Sequence, residues 1–459
     1  MSNNKMKIKN PATDEIIGAL KPDSKAEIDQ KLAMLRIGQK DWAKATIDDR
    51  MSCLVRFGAL IQENLQELAF LLTSETGKPI QQALNEIKGA HNRIEHLNAH
   101  AKHWLSKEIM VDSGGTHEQI TYEPLGVIAN ISAWNFPYNV GYNVFLYALA
   151  AGNAVAYKPS EFASLTGQKF EFYLHRAGVP KNVFQCIIGS GDVGQLLLEE
   201  DFDGYFFTGS YGTGLHIAKS VAHKLVPLQL ELGGKDPLYV MEDVLDVKQA
   251  AINAAEGAFY NNGQSCCAVE RIYVAERIYD DFVAAFTAEV KSYPIGNPLN
   301  VETFIGPLTR PEQLQVLEHQ VGDALAKGAT LLTGGNKIKG KGNYFEPTVL
   351  MNCHHGMKVM MEESFGPIIG IQKVDNDQAA IDLMRDTPYG LTAAVFSKDK
   401  ERAMLVLEQM DTGTVYWNCC DRVSPNVPWS GRKNSGQGVT LSSQGIRAFV
   451  QPKAYHLRP

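Results

Sequence analysis

The sequence predicts an α/β protein whose mostly parallel sheet is covered by helices on both faces. From about residue 125, short apolar runs are each followed by a helical pattern, which is typical of this architecture. A second set of alternating segments begins near Arg271. The chain has 459 residues, past the size at which a single core stops growing, so two or more domains are expected.

The first hundred residues are predicted to be helical. A capping box at Ser24 and Glu27 opens one amphipathic helix, and a looser box at Thr46 and Asp49 opens a longer helix that should end near Gly77. Strands of the first domain are then predicted at 127–134, 153–158, 183–188, 205–207 and 226–232.

A second α/β domain is predicted from about 271 to 418, with glycine-rich punctuation at 333–343. The tail that follows is Gly-rich and then strand-like, in IRAFVQPKAYHL. An exposed strand at a terminus is an edge that can pair with another chain. The tail therefore favours subunit association, as a homodimer or homotetramer.

The composition is that of an ordinary globular protein, with 44% hydrophobic residues, 21% charged residues and a net charge of −7. This charge gives no electrostatic footprint for nucleic acid or an acidic membrane. The N-terminal stretch MSNNKMKIKNPATDEIIG lacks a secretion or transit signal, and no later apolar run reaches membrane-spanning length. A cytoplasmic protein is expected.

The seven cysteines include no C-x-x-C, so neither a disulfide framework nor a common zinc pattern is predicted. Cys266 and Cys267 are adjacent in NNGQSCCAVE and could form a disulfide, half of a metal site, two inert buried thiols, or a nucleophile with a neighbour. A disulfide between adjacent residues is strained, and adjacent thiolates rarely point at one metal. His96, His100 and His103 share a helical face without a matching carboxylate, so no metal site is expected.

Two glycine-rich loops could meet a nucleotide phosphate. The stretch IIGSGDVG is a literal G-x-G-x-x-G, but Asp192 inside it would compete with a pyrophosphate for the helix N-terminus, and a tight turn is the alternative. FFTGSYGTG has no acidic residue, its glycines free the backbone, and Ser210 offers a hydroxyl just before a predicted helix. The second loop is the better candidate.

Polar side chains stand where three strands of the first domain should end, the place where open α/β sheets bind ligands. Asn135 in SAWNFP carries an uncharged amide that can donate to a developing oxyanion. Lys158 and Glu161 in YKPSE follow the next strand. Glu231 ends the last strand, so its carboxylate is expected to face the second domain and Cys266.

In this order, these motifs resemble the aldehyde dehydrogenase superfamily. The similarity runs along the whole chain, from NPATDEIIG through ETGKP, WNFP, KPSE, FTGS, LELGGK, GQSC, EESFGP and YGLTAAVF to PWSGRKNSG. It implies an aldehyde dehydrogenase-like fold with a Rossmann-type nucleotide-binding domain, an α/β catalytic domain and a small β oligomerisation element. Their implied ranges are 1–104 with 125–232, then 233–430, then 105–124 with 431–459.

The resemblance also implies a covalent mechanism that uses NAD, or NADP, to oxidise an aldehyde to the carboxylic acid. Cys266, in the last position of the G-Q-x-C motif, would be the nucleophile, with the oxyanion held by the Asn135 amide and the backbone N–H of Cys266. Hydride transfer to the nicotinamide would leave a thioester. Glu231, as general base, would activate the water that releases the acid.

Three alternatives to this reaction stay open. A CoA-acylating dehydrogenase would pass the thioester to a thiol, which needs no base such as Glu231. A Cys/His hydrolase would need a histidine motif that does not accompany Cys266. A catalytically silent NAD-binding protein would have kept the fold without the reaction.

The resemblance implies a cofactor site in which the pyrophosphate lies near the GS of FTGS, the adenosine ribose near the KPSE motif and the nicotinamide ribose near the second Glu of EESFGP. A carboxylate at Glu161 should repel a 2′-phosphate, which favours NAD over NADP. The implied cofactor residues are Trp134, Asn135, Lys158, Ser160, Glu161, Gly209, Ser210, Leu232, Glu363 and Phe365.

For the substrate, residues 138–157 contain no charged side chain, whereas relatives that act on succinate semialdehyde often place an arginine there. An uncharged aliphatic or aromatic aldehyde is therefore expected. Succinate semialdehyde stays an alternative because a loop arginine could supply the cation. The candidate substrate contacts are Tyr138, Tyr142, Cys267, Cys420 and Arg422.

Overall fold

The computed structural model describes residues 5–420 and 422–458. Its strands are β1 (Met6–Lys9), β2 (Ile16–Leu20), β3 (Glu108–Ser113), β4 (Thr116–Pro124), β5 (Val127–Ile131), β6 (Ala154–Lys158), β7 (Phe184–Cys186), β8 (Gly204–Thr208), β9 (Leu228–Glu231), β10 (Pro237–Val240), β11 (Arg271–Ala275), β12 (Thr330–Thr333), β13 (Thr348–Met351), β14 (Ile368–Val374), β15 (Tyr389–Gly390), β16 (Thr392–Phe396), β17 (Thr414–Trp417), β18 (Arg432–Lys433), β19 (Gly436–Gln437) and β20 (Val450–Leu457).

The α-helices are α1 (Lys25–Lys44), α2 (Ile47–Glu63), α3 (Leu65–Thr76), α4 (Ile80–Trp104), α5 (Pro137–Ala150), α6 (Ser164–Ala177), α7 (Gly191–Glu199), α8 (Tyr211–Val221), α9 (Val247–Phe259), α10 (Tyr279–Ser292), α11 (Glu312–Ala326), α12 (Lys358–Met361), α13 (Asp377–Arg385), α14 (Lys400–Leu407) and α15 (Ser442–Arg447). Short 3-10 helices lie at Glu161–Ala163, Ala222–Lys224, Tyr260–Gly263 and Glu276–Ile278. None of the helices in the described ranges is both long and apolar enough to span a membrane.

Six strands form the first sheet, in the order β19-β9-β8-β5-β6-β7. Strands β5 to β9 are parallel, and β19 adds to the edge of β9 in the antiparallel sense. All residues of β5 and β6 are buried, as expected of parallel strands in a sheet that is covered on both faces. The predicted alternation of strands and helices is confirmed.

Seven strands form the second sheet, in the order β12-β13-β14-β11-β10-β16-β17, and only β12 pairs in the antiparallel sense. Each of the two large sheets has its own cluster of buried apolar residues. The chain therefore has two cores, with β9 and β10 on either side of the short connection at 232–236.

The third sheet is antiparallel, with β4 between β3 and β20. In the remainder of the tail, β18 pairs with β15 in a separate two-stranded sheet, and β19 pairs with β9 of the first sheet. The tail therefore contributes strands to the first and third sheets. The limits of the three implied domains stay a prediction.

The N-terminal region contains both confirmed and corrected elements. The capping boxes that begin with Ser24 and Thr46 are both present. The single long helix predicted to end near Gly77 is wrong, because it is two helices divided at Asn64, whose side-chain amide donates to the Leu60 carbonyl at 2.7 Å. The hairpin β1–β2 was not predicted; its loop contains Asp14 at φ 62°.

Candidate active site

The loop that carries Cys266 runs from α9 to β11 through three consecutive left-handed residues, Asn261 (φ 53°), Asn262 (φ 58°) and Gly263 (φ 70°). Non-glycine residues adopt this conformation only when their surroundings hold them there. The Asn262 side chain donates to the Pro307 carbonyl and accepts from the Gly306 N–H, both at 2.9 Å. The loop that carries Cys266 is therefore held in place by side-chain amides.

Cys266 lies at the junction of two cavities. The first cavity, of about 330 Å³, is lined by the ends of first-sheet strands and by the 363–365 segment. The second cavity, of about 600 Å³, is bordered by α4, α5, α9 and residues of 418–420 and 422–425. The lining residues common to both are Asn135, Val140, Asn143, Cys266 and Trp429.

Asn135 is buried beside the loop that carries Cys266. Its side-chain Nδ2 donates to the Gln264 carbonyl at 3.2 Å, while Asn261 Nδ2 donates to the Asn135 carbonyl at 3.1 Å. A primary amide has two N–H donors, so one remains for a ligand in the cavity that Asn135 and Cys266 share. This arrangement fits the predicted oxyanion donor.

Glu231 ends β9 and lines the first cavity with Cys266. Its Oε1 accepts hydrogen bonds from Gln229 Nε2 at 3.1 Å and Thr440 Oγ1 at 3.2 Å, and Trp429 lies close enough to stabilise the carboxylate further. These neutral donors do not offset the loss of hydration. Burial raises the pKa of Glu231 to about 8, the range of a general base that works near neutral pH.

The strand-to-helix turn at Gly209 and Ser210 opens the first cavity toward α8. Ser210 caps α8 and accepts from the Thr213 N–H, while the Gly209 N–H donates to the Glu231 carbonyl at 3.0 Å. A Cβ on Gly209 would lie 2.4 Å from the Phe207 ring. A glycine followed by a helix N-terminus is a suitable cradle for a phosphate.

Glu363 and Phe365 form the opposite wall of the first cavity. The Glu363 carboxylate lies against the backbone at Gly233, where a Cβ would be 2.1 Å from Oε1, and it accepts from the Gly234 N–H at 3.1 Å. Burial raises the pKa of Glu363 to about 7. The Trp134 and Phe365 rings meet edge to face at 5.7 Å, and Leu232 completes this wall.

Lys158, Ser160 and Glu161 lie at the end of β6 and outside the lining of both cavities. Lys158 Nζ donates to the Pro159 carbonyl at 3.3 Å, and burial lowers its pKa. Ser160 Oγ donates to Glu161 Oε2 at 3.1 Å. The three residues share the carboxyl edge of the sheet with Gly209 and Ser210. Their role in binding a cofactor stays a prediction.

The G-x-G-x-x-G turn at 189–194 is a separate feature. Asp192 Oδ1 accepts from Ser190 Oγ at 2.6 Å, and this bond with backbone N–H groups lowers the pKa of Asp192. The carboxylate therefore occupies the N-terminus of α7, as a competing anion would. None of the three glycines of this turn lines either cavity.

Three of the five predicted substrate contacts, Cys267, Cys420 and Arg422, line the second cavity. The prediction for Tyr138 and Tyr142 is wrong. Both are fully buried and pack against Phe170, with ring centroids 4.8 and 5.7 Å away. Asn139 and Asn143 line the cavity instead, because successive residues of a helix differ by about 100° in direction.

Sequence reasoning missed Arg93 on α4, which lines the second cavity. Its side chain is only 5% exposed, and Nε donates to Asn143 Oδ1 at 2.9 Å. Arg93 falls on the buried stripe that includes Ala83, Ile87, Ala90 and Leu97. A charged residue at an apolar position of an amphipathic helix was the signal that could have found it.

A buried ion pair joins the segments that carry these groups. Lys235 Nζ lies 2.6 Å from Glu270 Oε2, and both side chains are almost fully buried. The two Glu270 oxygens accept from the N–H groups of Ser364 and Phe365, each at 3.0 Å, and Lys235 also donates to Ser364 Oγ. This pair sets the position of the 363–365 segment relative to the loop that carries Cys266.

The first cavity brings together a half-buried thiol, a buried amide donor, a carboxyl group of raised pKa and a turn of the kind that binds phosphate. This combination is typical of an enzyme that acts on a carbonyl group with a bound nucleotide. The comparisons identify the family. The model of the aldehyde dehydrogenase family matches residues 1–455, and the chain belongs to this family.

Curated relatives cover almost the whole chain. The 3,6-anhydro-alpha-L-galactose dehydrogenase of Vibrio sp. (strain EJY3) is 32% identical over 98% of this chain and 94% of its own length. The betaine aldehyde dehydrogenase of Vibrio vulnificus is 33% identical over 97% of this chain and 92% of its own.

Solved structures agree with this assignment. A 3,6-anhydro-L-galactose dehydrogenase in complex with NADP has a TM-score of 0.95 at 32% identity, covering 100% of this chain and 97% of that one. The betaine aldehyde dehydrogenase of Staphylococcus aureus in complex with NAD+ has a TM-score of 0.94 at 31% identity, covering 99% and 92%. The chain is an NAD(P)-dependent aldehyde dehydrogenase.

The contact between Gly233 and Glu363 makes a prediction about nucleotide binding. In Gly233→Ala the new Cβ displaces the Glu363 carboxylate, and we expect the Kd for NADH to rise about tenfold, the scale of an overpacked site. Fluorescence titration of NADH measures this. Gly191→Ala is the matched control, because a Cβ there meets no atom within 4 Å. Weaker binding in Gly191→Ala than in Gly233→Ala would instead place the nucleotide at the 189–194 turn.

Proposed function

We propose that this enzyme oxidises its aldehyde to the free carboxylic acid through a covalent adduct on Cys266. The observation that carries the proposal is the position of Cys266, which lines both cavities together with Asn135 and lines the first cavity together with Glu231. An aldehyde can enter through the second cavity while a nucleotide occupies the first. Among the described residues that line both cavities, Cys266 is the one with a nucleophilic side chain.

In the first step, the Cys266 sulfur adds to the aldehyde carbon and the carbonyl oxygen becomes an oxyanion. The remaining N–H of the Asn135 amide and the backbone N–H of Cys266 stabilise this charge. Because Asn135 is held at both its amide and its carbonyl, it donates without reorganising during the reaction. Loss of such a donor typically lowers kcat by about 100- to 1,000-fold.

We expect the cofactor in the first cavity, where the Gly209–Ser210 turn precedes the N-terminus of α8 and Glu363 offers a carboxylate to a ribose hydroxyl. Trp134, Leu232 and Phe365 supply apolar surface for the nicotinamide. Lys158, Ser160 and Glu161 would hold the adenosine end. When bound there, the nicotinamide would accept the hydride released as the C–H bond of the Cys266 adduct breaks, which would leave a thioester on Cys266.

Release of the product requires a base, and Glu231 is suited to this role. Its carboxylate removes a proton from the water that attacks the thioester carbon, and the acid leaves as Cys266 regains its thiolate. A CoA-acylating enzyme would not need this group. The buried carboxyl at Glu231 therefore favours hydrolysis over transfer to coenzyme A.

The raised pKa of Glu231 predicts the pH dependence of turnover. The base acts as the carboxylate, whose fraction increases as the pH rises through about 8, so kcat should rise with the same midpoint. Glu231→Gln should lose this rise and about 100- to 10,000-fold in kcat. Steady-state NADH formation from pH 6 to 9.5 measures both.

The exposed Glu276, substituted as Glu276→Gln, is the matched control and should keep the wild-type profile. An unchanged rise near pH 8 in Glu231→Gln would show that another group is the base.

We propose that NAD is preferred to NADP, because the Glu161 carboxylate would lie where a 2′-phosphate must fit. Glu161→Ala should lower the KM for NADP about tenfold and change the KM for NAD little, since it removes one like-charge repulsion. Glu199→Ala, on the exposed side of α7, is the control. A wild-type preference for NADP that disappears in Glu161→Ala would contradict the assignment.

We also propose a cytoplasmic homodimer or homotetramer that associates through the third sheet. Its edge strand β3 exposes three apolar side chains in sequence, Ile109, Met110 and Val111, at 46%, 58% and 37%. A row of apolar groups on an unpaired edge is disfavoured in a monomer. Light scattering should give two or four times the chain mass of 50.6 kDa, and Met110→Asp should shift the mass toward one chain. A monomeric wild type would contradict this proposal.

A further inference from the structure

Arg93 places a buried positive charge in the wall of the second cavity. Its side chain is 5% exposed, and within the described ranges no carboxylate oxygen lies within 4.0 Å of its guanidinium nitrogens. Its hydrogen bond goes to a neutral amide, Asn143 Oδ1. Burial lowers the pKa of Arg93 to about 10, so the side chain stays protonated at neutral pH.

The nearby acid on the same helix does not neutralise Arg93. Glu86 also lines the second cavity, but its carboxylate forms an ion pair with Lys78 and accepts from the Tyr138 N–H at 2.9 Å. The other acid of this lining, Glu256, is exposed to solvent. Glu86 therefore attracts Arg93 electrostatically without contacting its guanidinium. Burying a charge is costly unless it is directly paired, and a ligand-supplied anion would give Arg93 the direct partner that it lacks among the described residues.

The remainder of the lining suits a small polar ligand. Asn143, which holds Arg93, borders both cavities together with Cys266, so the charged group lies in the wall of the space that an aldehyde at the thiol would occupy. Arg422 adds a second cation to the lining, and it is solvent-exposed. Further amides in this lining come from Asn85, Asn92, Asn139, Asn253 and Asn418.

We propose that the natural substrate is an aldehyde whose tail carries a carboxylate, and that Arg93 is the residue that binds this carboxylate. The inference rests on the proposed function, since it names the substrate class of the same site. It replaces the uncharged aldehyde expected from the sequence of α5, because the cation comes from α4. The guanidinium donates to the tail carboxylate while the aldehyde carbon meets Cys266.

The test compares three aldehydes of similar length: succinic semialdehyde, butanal and 4-trimethylammoniobutanal. The wild type should have a kcat/KM for succinic semialdehyde about 100-fold above that for butanal, and the cationic aldehyde should be the poorest substrate. Arg93→Gln should lose about 100-fold on succinic semialdehyde, mainly through KM, and change butanal less than about threefold. Arg93→Lys should restore part of the loss.

Two controls separate recognition from structure. Arg385→Gln removes an exposed arginine of α13 and should leave all three substrates unchanged. A merely structural role for Arg93 would lower kcat/KM for succinic semialdehyde and butanal by the same factor, which would overturn the proposal. Equal or better use of butanal by the wild type would also overturn it, while the proposed oxidation would stand.

A binding measurement keeps the two proposals distinguishable even if none of the aldehydes is oxidised, an outcome that would count against the proposed function. Succinate should slow the alkylation of Cys266 by iodoacetamide in the wild type and in Arg93→Lys, and not in Arg93→Gln. Mass spectrometry of the modified peptide reports the rate. Absence of protection in the wild type would overturn the role of Arg93.

Discussion

The buried ion pair between Lys235 and Glu270 is the interaction on which the geometry of the site depends. Lys235 follows Glu231 by four residues, Glu270 follows Cys266 by four, and the oxygens of Glu270 hold the backbone of Ser364 and Phe365. One pair thus connects the segments that carry Glu231, Cys266 and Glu363, which come from three distant parts of the sequence. Removal of one partner from a buried pair typically costs about 3–5 kcal/mol, so this connection is also rigid.

Burial shifts the pKa values of two groups in the cavities beside Cys266 in opposite directions. Desolvation disfavours any charged form, so it raises the pKa of the Glu231 carboxyl to about 8 and lowers that of the Arg93 guanidinium to about 10. Glu231 becomes able to exchange a proton near neutral pH. The pKa of Arg93 stays far enough above neutral pH for the side chain to remain charged. A substrate carboxylate would replace the water that the guanidinium loses on burial.

The sequence predicted what short-range patterns encode. Parallel strands appeared as apolar runs, the capping boxes at Ser24 and Thr46 defined helix starts, and the ordered motifs predicted the family. Three of the residues in those motifs, Asn135, Glu231 and Cys266, line one cavity in the structure. Prediction from the sequence failed where the direction of a side chain or a long-range contact determines which residues line a cavity. Tyr138 and Asn139 are adjacent in α5, yet only Asn139 faces the cavity, and the contact between Arg93 and Asn143 joins residues 50 positions apart.

The central claim is that Cys266 forms the adduct and Glu231 releases it, and mass measurement with rapid-mixing kinetics on Glu231→Gln tests it most directly. Mixed with excess NAD and either succinic semialdehyde or butanal, this variant should produce one NADH per active subunit in a burst and then almost stop. The intact protein should gain the mass of one acyl group, located on the peptide that contains Cys266. Continuous turnover without a burst, or an acyl group on a different residue, would contradict the account.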